Sequence, residues 1–583
     1  MLGRQACGGR YILPVVDRSI SSFFLSSPSA APALRVGLLL DGWRVNRAVA
    51  SVIRDIQASD FARLQLVLID RAAVDGRPLL DWIRDARRRR RIAFELYERL
   101  DEWRVRAAND PTTLVDASAL LAGIAASEVR LGRGPDSVED VVERTKAETL
   151  DVILDLRPDA TIAALAGSAR HGVWRLRYGD GERYSGRPAY FWEVVDESPI
   201  SSVVLEQLSG HAPGPRVLAR AAFATDTGSV VRNRAQPYFG STHMVIQKLR
   251  QLHAGALPAQ GDENDSMEGR PRRVADRQPT NGAVMRWLLA KTARKLRSRL
   301  RRMVSPNEVE HWQVAIRAGH RGLKPGSPPD MSGFRWIDAP KGHAYADPFL
   351  VERAGRTWLF MEDLQYAQRR AVISCAEVGP DGRVGPASEV LSSAGHLSYP
   401  QVFEVDGTSY MLPESSDGGA IRLYRATEFP HRWEMESELF RVSAVDTTVW
   451  QDGARWWFFT TLREARAGGM ALMLFHADSL TGPWVAHPQN PLSVDVRNAR
   501  SAGAIFHDGE RLWRPSQDCS RGYGYSFTLN EIVTLSPTAY EERPGLTVTP
   551  DWDPGLLGTH TYNRSGRIEV TDGKVGRSTA EIG

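Results

Sequence analysis

Along the second half of the chain, apolar and polar residues alternate in short runs that return roughly every 50 residues, the interval expected of propeller blades. Residues 346–363, ADPFLVERAGRTWLFMED, show the unit: a polar entry at Asp347-Pro348, an alternating strand, a turn at Ala354-Gly355, and a return strand ending on Glu362 and Asp363. YPQVFEVDGTSYMLPE, from Tyr399, turns at Asp406-Gly407 and ends on Glu414. DTTVWQDGARWWFFTT, from Asp446, turns at Asp452-Gly453. AGAIFHDGERLWRPSQD, from Ala502, turns at Asp508-Gly509 and ends on Arg514, Gln517 and Asp518; HTYNRSGRIEVTDG, from His560, is a worn fifth copy. Asp-Gly between alternating apolar runs is a strong hairpin signal, because the central residues of the tightest hairpin turns need positive φ. Five such hairpins, with sequence to spare for about four strands each, predict an all-β five-bladed propeller over 311–575. HWQVAIR (311–317) is its expected first strand, on which the last strands close. A β-sandwich would show the same turns but does not require polar residues at one point of every repeat.

The first half has a different period. After a loose leader rich in Gly, Ser and Pro (1–33), LRVGLLL (34–40) reads as a buried strand, 46–57 as a helix and LQLVLID (64–70) as a second buried strand. A charged helix over 84–105, a strand TTLVDAS (112–118), a helix over 137–147, a strand DVILDL (151–156), a helix near 159–169 and a strand VWRLR (173–177) follow. Apolar strands alternating with amphipathic helices predict a Rossmann-type α/β domain over 34–259, its mostly parallel sheet covered on both faces. Residues 260–282 lose all hydrophobic period and read as a disordered linker. In 283–304, Met285, Leu289, Ala293, Leu296, Leu300 and Met303 recur at helical spacing among Lys and Arg. Such a basic amphipathic helix can lie on an anionic membrane surface, or pack its apolar stripe on a neighbouring domain and leave the basic face wet.

Composition adds limits. At 583 residues the chain is too long for one core, and 42% hydrophobic with 25% charged residues is ordinary for a soluble globular protein. A net charge of +4 gives no reason to expect nucleic acid. Cys7, Cys375 and Cys519 form no disulfide or metal-ligand pattern, which favours a reducing, cytoplasmic setting. No apolar run is long enough to span a bilayer. The arginines at 87–91 would grip phosphate, although Glu95, Glu98 and Asp101 follow at distances that suit pairing on a solvated helix. Many of the 16 Trp fall on expected propeller strands (Trp336, Trp358, Trp433, Trp450, Trp456, Trp457, Trp513), where blade packing is the simpler use.

The innermost strand of each blade lines the channel, and the repeat places Asp347, Glu414, Asp446, Arg514, Gln517 and His560 at its ends. Converging carboxylates with Arg, Gln and His suit sugar hydroxyls: one carboxyl can protonate a leaving oxygen while another activates water. ADPFL followed by a hairpin and further blades resembles the five-bladed superfamily that includes family-43 glycoside hydrolases. The set HLSYPQVF, LPES, LYRA, HPQNP, RPSQDCSRGYG and GTHTYN more closely resembles the propeller attached to plant glucosamine inositolphosphorylceramide transferase and its bacterial relatives. The glycosidase resemblance implies that Asp347 is a general base, but Tyr399 stands where that group has its second carboxylate, and no Glu-Gly-Pro supplies the third. Asp446 and Glu414 are the candidate substitutes. Tyr399, Arg500, Arg514, Gln517, Asp518 and His560 suit holding an anionic or hydroxyl-rich ligand by charge-assisted hydrogen bonds. No cofactor is expected; that superfamily sometimes holds a channel calcium near a His, which His560 allows but spacing does not support.

HGVWRLRYGDGERYSGRPAYFWEVVDESP (171–199) resembles the core of a formyltransferase domain, with Tyr184-Ser185-Gly186 and Pro188 in place of that family's Tyr-Arg-Gly and Pro. The resemblance puts Arg177 where the family has its His and Arg175 where it has its Asn; the expected Asp is missing and His211 is misplaced. A permanently charged guanidinium cannot replace an imidazole base, so formyl transfer is not expected. Two functions remain open. One is a carbohydrate-active enzyme of surface-polysaccharide metabolism, glycosidase-like or glycosyl-transferring, working on a glycan or glycolipid in the channel. The other is a non-catalytic glycan-binding scaffold for a partner glycosyltransferase, cytoplasmic or peripheral to the membrane.

Overall fold

The computed structural model describes residues 23–70, 90–105, 110–129, 138–157, 163–179, 184, 188–210, 214–257, 278–304, 308–319, 322–323, 328–415, 419–463 and 470–582. Most of the leader and linker, arginines 87–89, Cys7, Ser185, Gly186 and His211 lie outside these. The described chain falls into two compact units that divide between Arg294 and Lys295.

In the first unit, Leu34–Leu40 runs between Ala62–Asp70 and Val152–Asp155, parallel to both. The order is completed by Ala125–Val129 at one edge and Val173–Tyr178, Ile200–Leu208 and Arg216–Ala224 at the other, the last two antiparallel. Near-continuous apolar runs make the central strands inaccessible on both faces, as the sequence predicts. The helix Arg47–Ala58 starts where Asn46 accepts the Val49 N–H, a side-chain N-cap. Two details differ from expectation, the strand at 114–116 and the helix near 159–169. Leu114–Asp116 pairs with Arg44–Asn46 away from the main sheet, and the edge position belongs to Ala125–Val129, whose exposed pattern hid it. The described part of the charged helix is Ile92–Val105. The expected helix near 159–169 is, where described, a short 3-10 turn at Ala163–Gly167.

In the helix Asn281–Val304 the face that packs is not the expected stripe. Val284, Trp287 and the half-buried Leu288 pack against Phe94, Phe191 and Trp192, whereas Met285, Leu289, Leu296, Leu300 and Met303 face solvent. Trp and Val outcompete Leu and Met because the neighbouring aromatic cluster offers edge-to-face partners: the Trp287 ring lies 4.9 Å from Tyr97 and 5.7 Å from Phe191.

The second unit is a five-bladed propeller. Blades one to three are four-stranded meanders beginning with His343–Arg353, Leu397–Val405 and Ala444–Asp452. Blade four has Leu512–Asp518 paired with both short inner strands, Arg500–Ser501 and Phe506–His507, followed by Ser526–Leu535 and Tyr540–Val548. Blade five closes the ring: Ile568–Ser578 pairs along its whole length with Glu308–Ala318 from the other end of the domain, setting Trp312 opposite Lys574. Arg317 and Glu569 lock that seam by a buried double hydrogen bond of 2.7 and 2.9 Å. The turns at Ala354-Gly355 and Asp406-Gly407 have positive φ at both residues, the tight hairpin form. The apolar cores sit between adjacent blades; Phe360, Ile373 and Cys375 of blade one meet Met411 and Trp433 of blade two. Trp433, Trp456, Trp457 and Trp513 are buried there, so they pack rather than bind.

Candidate functional site

The channel is built on a backbone irregularity repeated in three blades. The innermost strands break register between Ala346 and Phe349, Ser398 and Gln401, and Val445 and Thr448. The first bulged residue in each case, Asp347, Tyr399 and Asp446, has φ of +48°. That left-handed conformation is tolerable for Asp and uncommon for Tyr, and costs on the order of 1–3 kcal/mol at each position. A bulge also frees an N–H from the ladder, and each one is received by a carboxylate from another strand of the ring. Asp347 N–H donates to Asp572, Tyr399 N–H to Asp347 and Asp446 N–H to Glu414, each at 3.2 Å. In blade four, Gly503 N–H donates to the Tyr399 hydroxyl at 2.7 Å. The recurring acids thus serve the fold itself, by satisfying buried amides that the bulges expose.

Tyr399 is fully enclosed, and its hydroxyl also lies 2.9 Å from Thr448 Oγ1 and 3.1 Å from the Gly503 carbonyl, joining blades two, three and four. Replacing it by Phe leaves the Gly503 N–H without a partner in the interior. Tyr399→Phe should therefore lower stability by about 1–3 kcal/mol, read by urea unfolding, and leave any surface binding unchanged.

Around this plug the charges are paired. Asp446 Oδ2 accepts from Arg500 Nε at 2.5 Å and Gln517 Nε2 at 3.1 Å, all three residues being buried. The Arg500 guanidinium lies 4.9 Å from the Tyr523 ring, and Tyr523 Oη is 3.3 Å from His560 Nε2. His560 stacks on Trp312 with ring centroids 4.1 Å apart and contacts Asp572 at 2.7 Å and Asp347 at 3.5 Å. Burial opposes its protonation, but Asp572 and Asp347 outweigh it and raise its pKa. Burial pushes the Asp347 carboxyl up to about 8, with His560 opposing and the neighbouring acids adding to the shift.

Asp347, His560 and Asp572 lie close enough to share a metal ion. Each of the four carboxylate oxygens already accepts at least one hydrogen bond, however. Asp572 Oδ1 accepts the His560 and Thr561 amides, Asp572 Oδ2 the Asp347 amide, Asp347 Oδ1 the Thr561 hydroxyl and Asp347 Oδ2 the Tyr399 amide. Calcium asks for about six to eight free oxygen ligands. This donor set fits an imidazolium between two acids better than a hard cation.

Four polar side chains beside this plug are partly exposed: Glu362, His396, Glu414 and Arg463. Glu362 and Glu414 occupy the same repeat position, opposite the pre-bulge residues Ala346 and Ser398. His396 Nε2 is 2.9 Å from Glu362, and Arg463 is 3.6 Å from Glu414; the four side chains are 14–43% exposed. Burial disfavours the His396 cation, but Glu362, then Glu414 and Asp347, lift it to about 9. Burial and Asp446 push Glu414 up to about 7 against the pull of Arg463 and Arg500. These folded values exceed the ordinary ones, so the folded state holds more protons. Stability conferred by Glu414 is full below about pH 4 and lost as pH rises through about 7; that conferred by His396 is full below about 6.5 and lost through about 9. The melting temperature should fall between about pH 6.5 and 9, and Glu362→Gln should flatten that fall in a calorimetric pH series.

The channel thus gathers Asp347, Tyr399, Glu414, Asp446, Arg500, Gln517 and His560. Glu414 and Gln517 stand on second strands, not on innermost strand ends. Arg514 lies on the second strand of blade four, wholly buried in a double hydrogen bond to Glu542, and Asp518 caps Ser520 N–H at 2.8 Å. Glu362, His396, Arg463, Tyr523 and Asp572 were missed. Glu362 was legible, since it closes its hairpin as Glu414 closes the next.

In the first unit, Arg175 and Arg177 both grip the buried Glu206, at 2.8 and 2.7 Å. Arg157 is held by Asp70 and Asp155 at the carboxyl ends of the parallel strands, where open α/β sheets take ligands. The charges of this region largely neutralise one another.

Residues 337–552 match the family described as glucosamine inositolphosphorylceramide transferase 1, N-terminal. The glucosamine inositolphosphorylceramide transferase 1 of Oryza sativa subsp. japonica is 34% identical over 204 residues, which are 34% of this chain and 27% of that protein. The match therefore spans about a quarter of the relative's length. Among solved structures, an exo-1,5-α-L-arabinanase from a bovine ruminal metagenomic library is 14% identical over 41% of this chain and 95% of its own, with a TM-score of 0.29. Phosphoribosylglycinamide formyltransferase from Brucella melitensis is 14% identical over 38% of this chain and 97% of its own, with a TM-score of 0.27. The chain joins an α/β unit with formyltransferase-like neighbours to a five-bladed propeller that resembles the N-terminal domain family of glucosamine inositolphosphorylceramide transferase 1.

Proposed function

We propose that the propeller recognises the headgroup of a glycan or glycolipid at the mouth of its channel, as a non-catalytic module serving a separate glycosyltransferase. The observation that carries this is the division of labour among the acids. Asp347, the expected general base, is 3% exposed with both oxygens receiving hydrogen bonds, while Glu362, His396, Glu414 and Arg463 remain reachable. Carboxylates at the mouth suit sugar hydroxyls or an amino sugar's ammonium, and Arg463 suits a phosphate. The relative's name couples glucosamine to an inositol phosphate lipid, which supports an amine-bearing, hydroxyl-rich headgroup.

One observation favours the enzyme instead. Glu414, at about 7 and beside Asp446, is poised as a proton donor. Saturation-transfer NMR on oligosaccharides, with the same samples chromatographed for products, separates the two. Magnetisation transfer with no new products supports recognition; product formation that Glu414→Gln abolishes supports hydrolysis.

A further inference from the structure

The helix Asn281–Val304 has apolar residues on two separate faces, and only one is used. At about 100° per residue, Val284, Trp287 and Leu288 lie on one side, and Met285, Leu289, Leu296, Leu300 and Met303 on the other. The first set is packed among Phe94, Phe191 and Trp192. The second is 51–76% exposed along about five turns of helix, a stripe built on i, i+3, i+4 and i+7 spacing. A stripe of that length on a soluble surface marks something that covers it.

Charge identifies the cover. The helix carries eight Lys or Arg and no Asp or Glu. With the whole chain at +4, everything outside this helix is net −4, so the positive charge is a property of this one element. Two of the cations are engaged: Lys291 sits 4.5 Å over the Trp287 ring, and Arg294 pairs with Glu197. Arg286, Lys295, Arg297 and Arg299 are exposed around the apolar stripe. Nucleic acid would use the cations but has no place for five Leu and Met side chains. A membrane span is excluded for this helix, which is not apolar enough to cross.

We propose that this helix lies flat on an anionic lipid surface. Met285, Leu289, Leu296, Leu300 and Met303 enter the boundary between headgroups and acyl chains, and the flanking arginines meet the headgroup phosphates. Length and composition match an interfacial helix, with an apolar face, a strongly basic polar face and too few apolar residues overall to sink deeper. The proposal stands whether or not the propeller channel binds a glycan.

Vesicle flotation of the full chain provides the test, with phosphatidylcholine alone and phosphatidylcholine doped with phosphatidylglycerol. Binding should be about tenfold or more tighter to the doped vesicles and should weaken with salt. Each of Arg297→Gln and Arg299→Gln should weaken it roughly fivefold. Leu289→Glu with Leu296→Glu should abolish it while circular dichroism and melting temperature stay unchanged, since both side chains are already exposed. Equal binding to neutral vesicles, or none to either, overturns the proposal. So does a concentration-dependent dimer that the Leu289→Glu/Leu296→Glu protein loses, which would assign the stripe to a second copy of the chain.

Discussion

Asp446→Asn is expected to lower the stability of the propeller by about 3–5 kcal/mol. The substitution keeps the side-chain volume and suits the left-handed backbone, for which Asn is as well adapted as Asp. What it removes is the charge opposite Arg500, whose guanidinium is buried with Nε 2.5 Å from Asp446. A buried guanidinium cannot shed its proton as a carboxyl can take one up, so its desolvation is left uncompensated. Urea unfolding followed by tryptophan fluorescence measures the loss. Adding Arg500→Met to Asp446→Asn should recover most of it, because an apolar side chain needs no counter-charge. A loss below about 1 kcal/mol for the single variant would show that Glu414 takes over as the partner of Arg500.

The second large effect concerns recognition. Glu414→Gln and Glu362→Gln should each weaken glycan binding on the order of ten- to a hundredfold, the value of a charge-assisted hydrogen bond in a partly dry pocket. Gln retains an acceptor for the Asp446 amide, so the bulge beneath stays capped and the fold is unaffected. Asp347→Asn should behave in the opposite way, losing stability through its contacts with Thr561 and Tyr399 while leaving affinity within about threefold. Calorimetric titration and melting curves on the same three proteins check both halves of this statement. Binding that depends on Asp347 and ignores Glu362 and Glu414 would return the ligand to the depth of the channel.

The propeller was legible because its information is local. Asp406-Gly407 needs positive φ at both positions, and alternation on either side dictates which face is buried. The closing seam was legible too, since HWQVAIR is an alternating strand with no other partner nearby in sequence. The bulges were not. Nothing in SYP or DTT announces a left-handed Tyr399 or Asp446, because the conformation is imposed by the ring and secured by acids from other strands. For the same reason Asp347, Glu414 and Asp446 looked alike in sequence, though Asp347 and Asp446 are enclosed and Glu414 is partly open. Arg514 misled because a polar residue in a repeated place need not face the channel; Glu542 in the same blade takes it. In the helix Asn281–Val304, counting apolar residues found the longer stripe, whereas packing chose the shorter face with the aromatic ring.

The most direct measurement is a glycan array probed with the purified full chain and with a Glu362→Gln/Glu414→Gln double variant that still unfolds in one cooperative transition well above the array temperature. Recognition at the channel mouth predicts a discrete set of bound glycans, hydroxyl-rich and bearing a free amine, with the signal lost in the double variant. A blank array for the wild-type chain, or a double variant that keeps the full signal, would contradict it.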